Sequence, residues 1–245
     1  MSKQVWQFEP TDRWIRATRS GETIADSRRA KLMIESRGEL DYYFPVDDVR
    51  MELLTSSEHT ETSGYRGRRK FWHLNLGDKR IENAAWTYEP KEKRPDFTGY
   101  IALTWKAMDH WYEEEEEIFH HPRNPYHRVD TLPSSRHVEV FVDGVKVADT
   151  TRPYLLFETN LPTRYYIPPE DVEQKYLTRT SSHTTCPYKG IASYYSVSVN
   201  GETLPDVVWT YPDPIPEAPK IKGLLAFWPE KDKRIRIFVD GELKI

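Results

Sequence analysis

Tyr42-Tyr43-Phe44-Pro45 returns 123 residues later as Tyr165-Tyr166-Ile167-Pro168. Outward from that pair the same offset holds without a gap. Upstream it matches Gly21 with Gly144, Asp26 with Asp149, Arg29 with Arg152 and Glu35 with Glu158. Downstream it matches Asp48 with Asp171, Tyr65 with Tyr188 and Gly67 with Gly190, and it closes on Trp86-Thr87-Tyr88 against Trp209-Thr210-Tyr211. A constant register with aromatic and glycine positions in step marks a duplicated domain, and 245 residues accommodate two domains of ordinary size.

Each copy opens on a hairpin signal. In the second, Val138, Val140 and Val142 alternate with Glu139 and Phe141 up to Asp143-Gly144, after which Val145 and Val147 resume the alternation. Asp-Gly suits a tight primed turn because both residues tolerate positive φ, glycine at no steric cost. Ser20-Gly21 takes that place in the first copy, and Ile235 to Glu242 forms a third such element that would complete the second sheet. Leu155–Glu158, Arg164–Ile167, Ser193–Val199 and Leu224–Trp228 are rich in β-branched and aromatic residues and have strand length. Helix is confined to single turns at Pro169–Val172 and Glu217–Lys222. The 18 prolines against 11 glycines also favour short strands and turns over long helices.

The expected fold is therefore mainly β: two homologous small antiparallel domains, barrel-like or sandwich-like, with short helical turns and a pseudo-twofold relation. The boundaries read as 1–112 for the first copy, 113–136 for an acidic and basic linker or crossing strand, and 137–245 for the second copy. That middle stretch runs from Glu113–Glu117 into His120-His121-Pro122-Arg123.

Composition narrows the function classes. A net charge of −4 with both signs interspersed supplies no basic field for nucleic acid. No apolar run reaches the roughly 20 residues that cross a bilayer. Cys186 is the only cysteine, so no intrachain disulfide forms, and Met1–Pro10 lacks the pattern of a secretory signal, which leads us to expect a soluble cytoplasmic protein.

The densest cluster of chemistry is His183-Thr184-Thr185-Cys186-Pro187-Tyr188-Lys189-Gly190. An imidazole three residues before the thiol and an ammonium three after it would favour a thiolate, making Cys186, His183 and Lys189 candidate catalytic residues. Arg164, Tyr166, Tyr188 and Arg152 are the candidate ligand-binding residues, since tyrosine rings and cationic groups grip a planar anion. Against this stand two plain readings: a lone cysteine is commonly a small buried hydrophobe, and tyrosines in strands are commonly core. No metal is expected, because His120, His121, His127, His183 and Cys186 lack the paired spacing of zinc ligands.

The chain resembles the tandem form of the family called domain of unknown function 427. The resemblance rests on Trp111-Tyr112 with the acidic run, His121-Pro122-Arg123, Leu132-Pro133-Ser134-Ser135-Arg136-His137, Leu156-Phe157-Glu158-Thr159 and Leu161 to Pro168. Above all it rests on Cys186-Pro187-Tyr188-Lys189-Gly190. It implies compact, mainly β domains, sometimes filed under a nucleotidyltransferase-like heading, and it carries over no catalytic residue. The residues themselves argue against nucleotidyl transfer: neither Asp47-Asp48 nor Glu170-Asp171 makes a paired-carboxylate magnesium site, and no glycine-rich phosphate loop is present.

The first copy departs from the motif, with Ser63, Gly64 and Arg66 where the second has Cys186, Pro187 and Lys189, and with Thr60, Asp41 and Glu39 for His183, Arg164 and Pro162. Two readings follow. In one, the second copy holds a small-molecule or enzymatic site around Cys186; in the other, the protein is a non-catalytic interaction or structural module.

Overall fold

Alternating apolar and polar residues need a partner strand to satisfy their backbone groups. A computed structural model describes residues 6–35, 40–63, 67–92 and 94–244. It divides into two units, Met1–Asn124 and Pro125–Ile245. Glu39, Gly64, Tyr65 and Arg66 of the sequence comparison lie outside the described residues.

The first unit contains β1 (Trp6–Pro10), β2 (Ile15–Arg19), β3 (Glu22–Ser27), β4 (Lys31–Glu35), β5 (Leu40–Pro45), β6 (Leu54–Ser63), β7 (Gly67–Leu76), β8 (Lys79–Tyr88), β9 (Tyr100–Leu103), β10 (His110–Glu113) and β11 (Glu116–Ile118). The second unit repeats them as β12 (Val129–Pro133), β13 (Val138–Val142), β14 (Val145–Thr150), β15 (Tyr154–Glu158), β16 (Arg164–Tyr166), β17 (Leu177–Cys186), β18 (Gly190–Val199), β19 (Glu202–Thr210), β20 (Ala226–Phe227), β21 (Ile235–Val239) and β22 (Glu242–Leu243). In the first unit the order β1-β4-β5-β9-β8-β7-β6 makes a seven-stranded sheet, and β11-β10-β2-β3 makes a second of four. The second unit has the same four-stranded sheet, β14-β13-β21-β22, while its large sheet is parted into β12-β15-β16 and β17-β18-β19-β20. The parts meet where Ile167 and Leu225 exchange backbone hydrogen bonds of 2.8 and 2.9 Å. Among the described residues every paired strand is antiparallel, and no sheet closes into a barrel.

The turn chemistry is as the sequence predicts. Ser20 and Gly21 have φ of 52° and 78°, and Asp143 and Gly144 have 48° and 78°, the paired positive values of a primed turn. The closing element Ile235–Val239 pairs with β13, as expected of it. The two helical turns read from sequence fall at Pro169–Asp171 and Pro219–Ile221, and further single turns that the sequence reading did not pick out form at Val46–Asp48, Met51–Leu53, Trp105–Ala107 and Gln174–Tyr176.

Within 113–136, read as a linker or a crossing strand, Glu113, Glu116–Ile118 and Val129–Pro133 are strand. Glu113 ends β10, Glu114 turns the chain with φ 52°, and Glu116 begins β11. Glu113 is buried, where it accepts a hydrogen bond of 2.6 Å from the Tyr42 hydroxyl and pairs with Arg13. Val129–Pro133 forms β12, standing to β15 as β1 stands to β4. Five glutamates in a row suggest a solvated tether, but alternation sends one of them inward to a hydroxyl and a guanidinium.

Period-2 alternation buries the large sheet on both faces. In the second unit Leu155, Tyr165, Ile167, Leu225 and Phe227 face the main core with Val138, Val140 and Ile237 of the smaller sheet. Their alternates Leu156, Tyr166, Tyr211 and Ala226 form a second cluster on the opposite face. The first unit has the same two-sided arrangement, with Met33, Tyr43, Phe71, Trp86, Tyr88 and Ala102 on its outer face. Each fully buried Ile, Val or Leu contributes about 1.5–3 kcal/mol, so the inner core stabilises the fold and the outer face remains available for a site.

Candidate functional site in the second copy

The outer face of the second copy's large sheet gathers side chains two residues apart along four strands. Leu156 and Glu158 come from β15, Arg164 and Tyr166 from β16, Tyr194 from β18, and Trp209 and Tyr211 from the end of β19. With Leu161, Lys189 and Trp228 they line a cavity of about 190 Å³. That is room for roughly six waters, less than a drug-sized pocket, and suits a single ring with one or two substituents.

One wall is a buried charge cluster. The Lys189 ammonium donates to Glu158 Oε2 at 2.5 Å, and His127 Nε2 lies 3.0 Å from the other carboxylate oxygen. Glu158 and Lys189 are 6 % and 10 % exposed at the side chain, so the pair is almost wholly withdrawn from water and each side chain is the other's partner. Tyr188 stacks on the His127 ring with centroids 4.0 Å apart. The turn that delivers Lys189 depends on Gly190. Its φ is +100°, and a Cβ there would lie 3.3 Å from the Ile215 nitrogen and 3.4 Å from the Asp213 oxygen. The Ile215 amide in turn donates to the Lys189 carbonyl at 3.2 Å.

The rim is cationic and aromatic. Arg164 Nη1 donates to both oxygens of Glu230 at 2.8 Å, and its guanidinium carbon lies 5.6 Å from the Trp209 ring centre. Partial burial pushes the Glu230 carboxyl up, but the Arg164 hydrogen bonds outweigh it and hold that group below its ordinary value. Trp209 Nε1 donates to the Tyr166 hydroxyl at 3.1 Å, and the rings of Trp209 and Trp228 meet edge to face. Burial pushes the phenols of Tyr166 and Tyr211 well above the ordinary tyrosine value, and the neighbouring Cys186 adds to both shifts. Tyr211 is 5 % exposed, and within the described residues its hydroxyl forms no hydrogen bond. A neutral phenol in that position can donate to a ligand.

Of the residues singled out from sequence, Arg164, Tyr166 and Lys189 come together on this cavity, and Tyr188 supports it through His127. Cys186 lies on the same face, packed against the cluster of Leu156, Tyr166, Ala192 and Tyr211 rather than lining the cavity. His183 is three residues before it on a regular stretch of β17, so the two side chains leave opposite faces of the sheet. His183 Nδ1 instead lies 3.2 Å from the Ala192 carbonyl and 3.3 Å from Ser193 Oγ. Arg152 is away from the cavity, bonded to both carboxylate oxygens of Asp171 at 2.9 and 3.0 Å, as Arg29 is bonded to Asp48 in the first copy. Of the histidines weighed as metal ligands, His120 and His121 line a cavity of the first unit, and His127 and His183 are placed as above. Among the described residues one trio has metal-ligand geometry, His137, Glu139 and Asp149, and the Lys146 ammonium sits 2.9 and 2.7 Å from its two carboxylates.

Sequence reasoning passed over Glu158, Tyr194, Trp209, Tyr211 and Trp228. Glu158 had left a trace, for it matches Glu35 in the repeat and both are shielded from solvent. The aromatic residues left none, because a ring on a strand reads as core until the opposite face is known to be filled.

The family model described as domain of unknown function (DUF427) matches the chain twice, over residues 7–114 and 130–242. Among curated proteins none matches the sequence.

Proposed function

The chain belongs to the DUF427 family, carrying its domain in tandem, and from that premise we propose that its second copy binds a small planar ligand with an anionic edge. The observation that carries this reading is the aromatic cavity on the outer sheet face, with the free Tyr211 hydroxyl inside it and Arg164 at its rim. A flat ring would lie against Trp209 and Trp228, and aromatic stacking is worth about 0.5–1.5 kcal/mol beyond burial. Arg164 reaches Glu230 through Nη1 alone, so its remaining guanidinium N–H groups at the rim can donate to a carboxylate or comparable anion. Lys189 acts as a positioning residue that holds Glu158 and the turn in place. In this reading Cys186 and His183 perform no chemistry.

The test is thermal stability with single-ring probes: benzoate and nicotinate against benzamide and benzylamine. A ligand at ten times its Kd stabilises the protein by about 1.4 kcal/mol, or about 5 °C for a unit of roughly 120 residues. Benzoate or nicotinate should raise the melting temperature, and Arg164→Ala should remove the advantage of the anions over benzamide. No response to any ring, or a response indifferent to Arg164→Ala, would overturn the proposal.

A further inference from the structure

Three phenols line the cavity of the second copy, those of Tyr166, Tyr194 and Tyr211. Two of the hydroxyls are engaged: Tyr166 accepts from Trp209 Nε1 at 3.1 Å, and Tyr194 pairs with Thr184 Oγ1 at 2.7 Å. The Tyr211 hydroxyl has no hydrogen-bond partner among the described residues, although the residue is 5 % exposed. A phenol at that depth ordinarily finds a partner, because a buried donor left unpaired carries the cost of its lost hydration.

Strand register says where this donor stands. Ala226 faces Trp209 across β20 and β19, and the bridge between Ile167 and Leu225 puts Tyr166 beside Ala226. Arg164, two residues before Tyr166, and Tyr211, two residues after Trp209, therefore stand on opposite sides of that row. A ring lying on Trp209 with its anionic edge at Arg164 would turn its far edge toward Tyr211.

The surroundings of Tyr211 set what that far edge can be. Burial holds the phenol neutral, and Tyr166, Cys186, Tyr194 and Glu158 add to the effect. Each of these groups is neutral or negative, and the Lys189 ammonium is bonded to Glu158. This end of the cavity offers a proton rather than a counter-charge.

We infer that the ligand carries a neutral hydrogen-bond acceptor, a ring nitrogen or a carbonyl oxygen, on the edge opposite its anionic group, and that the Tyr211 hydroxyl selects it. This rests on the reading of the second copy as a ligand site, and it adds the ligand's second functional group and the residue that reads it. A ring without the acceptor leaves the donor buried and unpaired, so Tyr211 discriminates against it while Arg164 treats both rings alike.

The experiment measures dissociation constants of benzoate, isonicotinate and picolinate for the full chain by isothermal titration calorimetry, at slightly alkaline pH where the ring nitrogens are unprotonated. The probes differ only in that nitrogen: absent, opposite the carboxylate, or beside it. Isonicotinate should bind about tenfold tighter than benzoate, equivalent to about 1.4 kcal/mol, and picolinate should gain nothing over benzoate. In Tyr211→Phe, which removes only the unpartnered hydroxyl, the preference for isonicotinate should disappear. Equal wild-type affinities for benzoate and isonicotinate, an equal gain for picolinate, or a preference that survives in folded Tyr211→Phe would each overturn the inference while leaving the ring site intact. Wild-type protein that binds none of the three would instead end the binding reading on which it rests.

Discussion

Replacing Lys189 with Met keeps the length and apolar stem of the side chain and removes its charge. Glu158, 6 % exposed, would then lose the 2.5 Å bond to the ammonium and retain only the 3.0 Å contact to His127. Removing one member of a buried ion pair costs about 3–5 kcal/mol, because the remaining charge stays desolvated. The second unit has about 120 residues, and unfolding entropy of roughly 2.1 cal/mol/K per residue gives about 0.25 kcal/mol/K, so its melting temperature should fall by about 12–20 °C. Differential scanning calorimetry reads this directly, with the first unit as internal reference. The companion variant Lys189→Met/Glu158→Met replaces both charges with apolar groups of similar size and should return to within about 1 kcal/mol of the wild type. Two results would refute the reasoning: a single variant that loses less than about 1 kcal/mol, which is the worth of a surface pair, or a double variant no more stable than the single.

Gly190→Ala should destabilise by about 2–3 kcal/mol and Gly144→Ala by about 1 kcal/mol, because both glycines have positive φ but only Gly190 would drive a Cβ against Ile215 and Asp213. Urea melts giving equal losses would dismiss the role assigned to that close approach. Asp171 is held below its ordinary value chiefly by the hydrogen bonds of Arg152, so the stability from this pair is present above the unfolded aspartate value near 4 and lost as pH falls through the lower folded one. Arg152→Ala should accordingly lower the melting temperature at pH 7, and its deficit should shrink as the pH falls through the lowered folded value and the carboxyl becomes protonated in both states; a variant whose deficit persists unchanged in acid would argue against it. Cys186→Ser should cost about 1–2 kcal/mol, since a hydroxyl among Leu156, Tyr166 and Tyr211 needs a partner, and iodoacetamide should modify the native thiol more slowly than the thiol of the urea-unfolded chain. Rapid native modification at neutral pH would restore Cys186 as a nucleophile.

Short-range chemistry was legible from the residues alone. The duplication, the primed turns at Ser20-Gly21 and Asp143-Gly144, and the valine alternation of β13 and β14 depend on neighbours along the chain, and sequence states these fully. Glu35 and Glu158 could be matched in the repeat. Face and partner were not legible. His183 and Cys186 sit close in sequence, and only the strand register shows that they diverge; the irregular register between Arg179 and His183 makes the facing of that Ser- and Thr-rich strand impossible to count from its start. Glu158 finds Lys189 31 residues away and Arg164 finds Glu230 66 residues away. Such pairs are set by which strands lie side by side, and strand order is a property of the whole sheet rather than of any segment. The same holds for the guanidinium groups over the paired tryptophans: the sequence records that Trp86 and Trp209 occupy equivalent positions, but only the packed outer face decides that Arg69 lies over the one and Arg164 over the other.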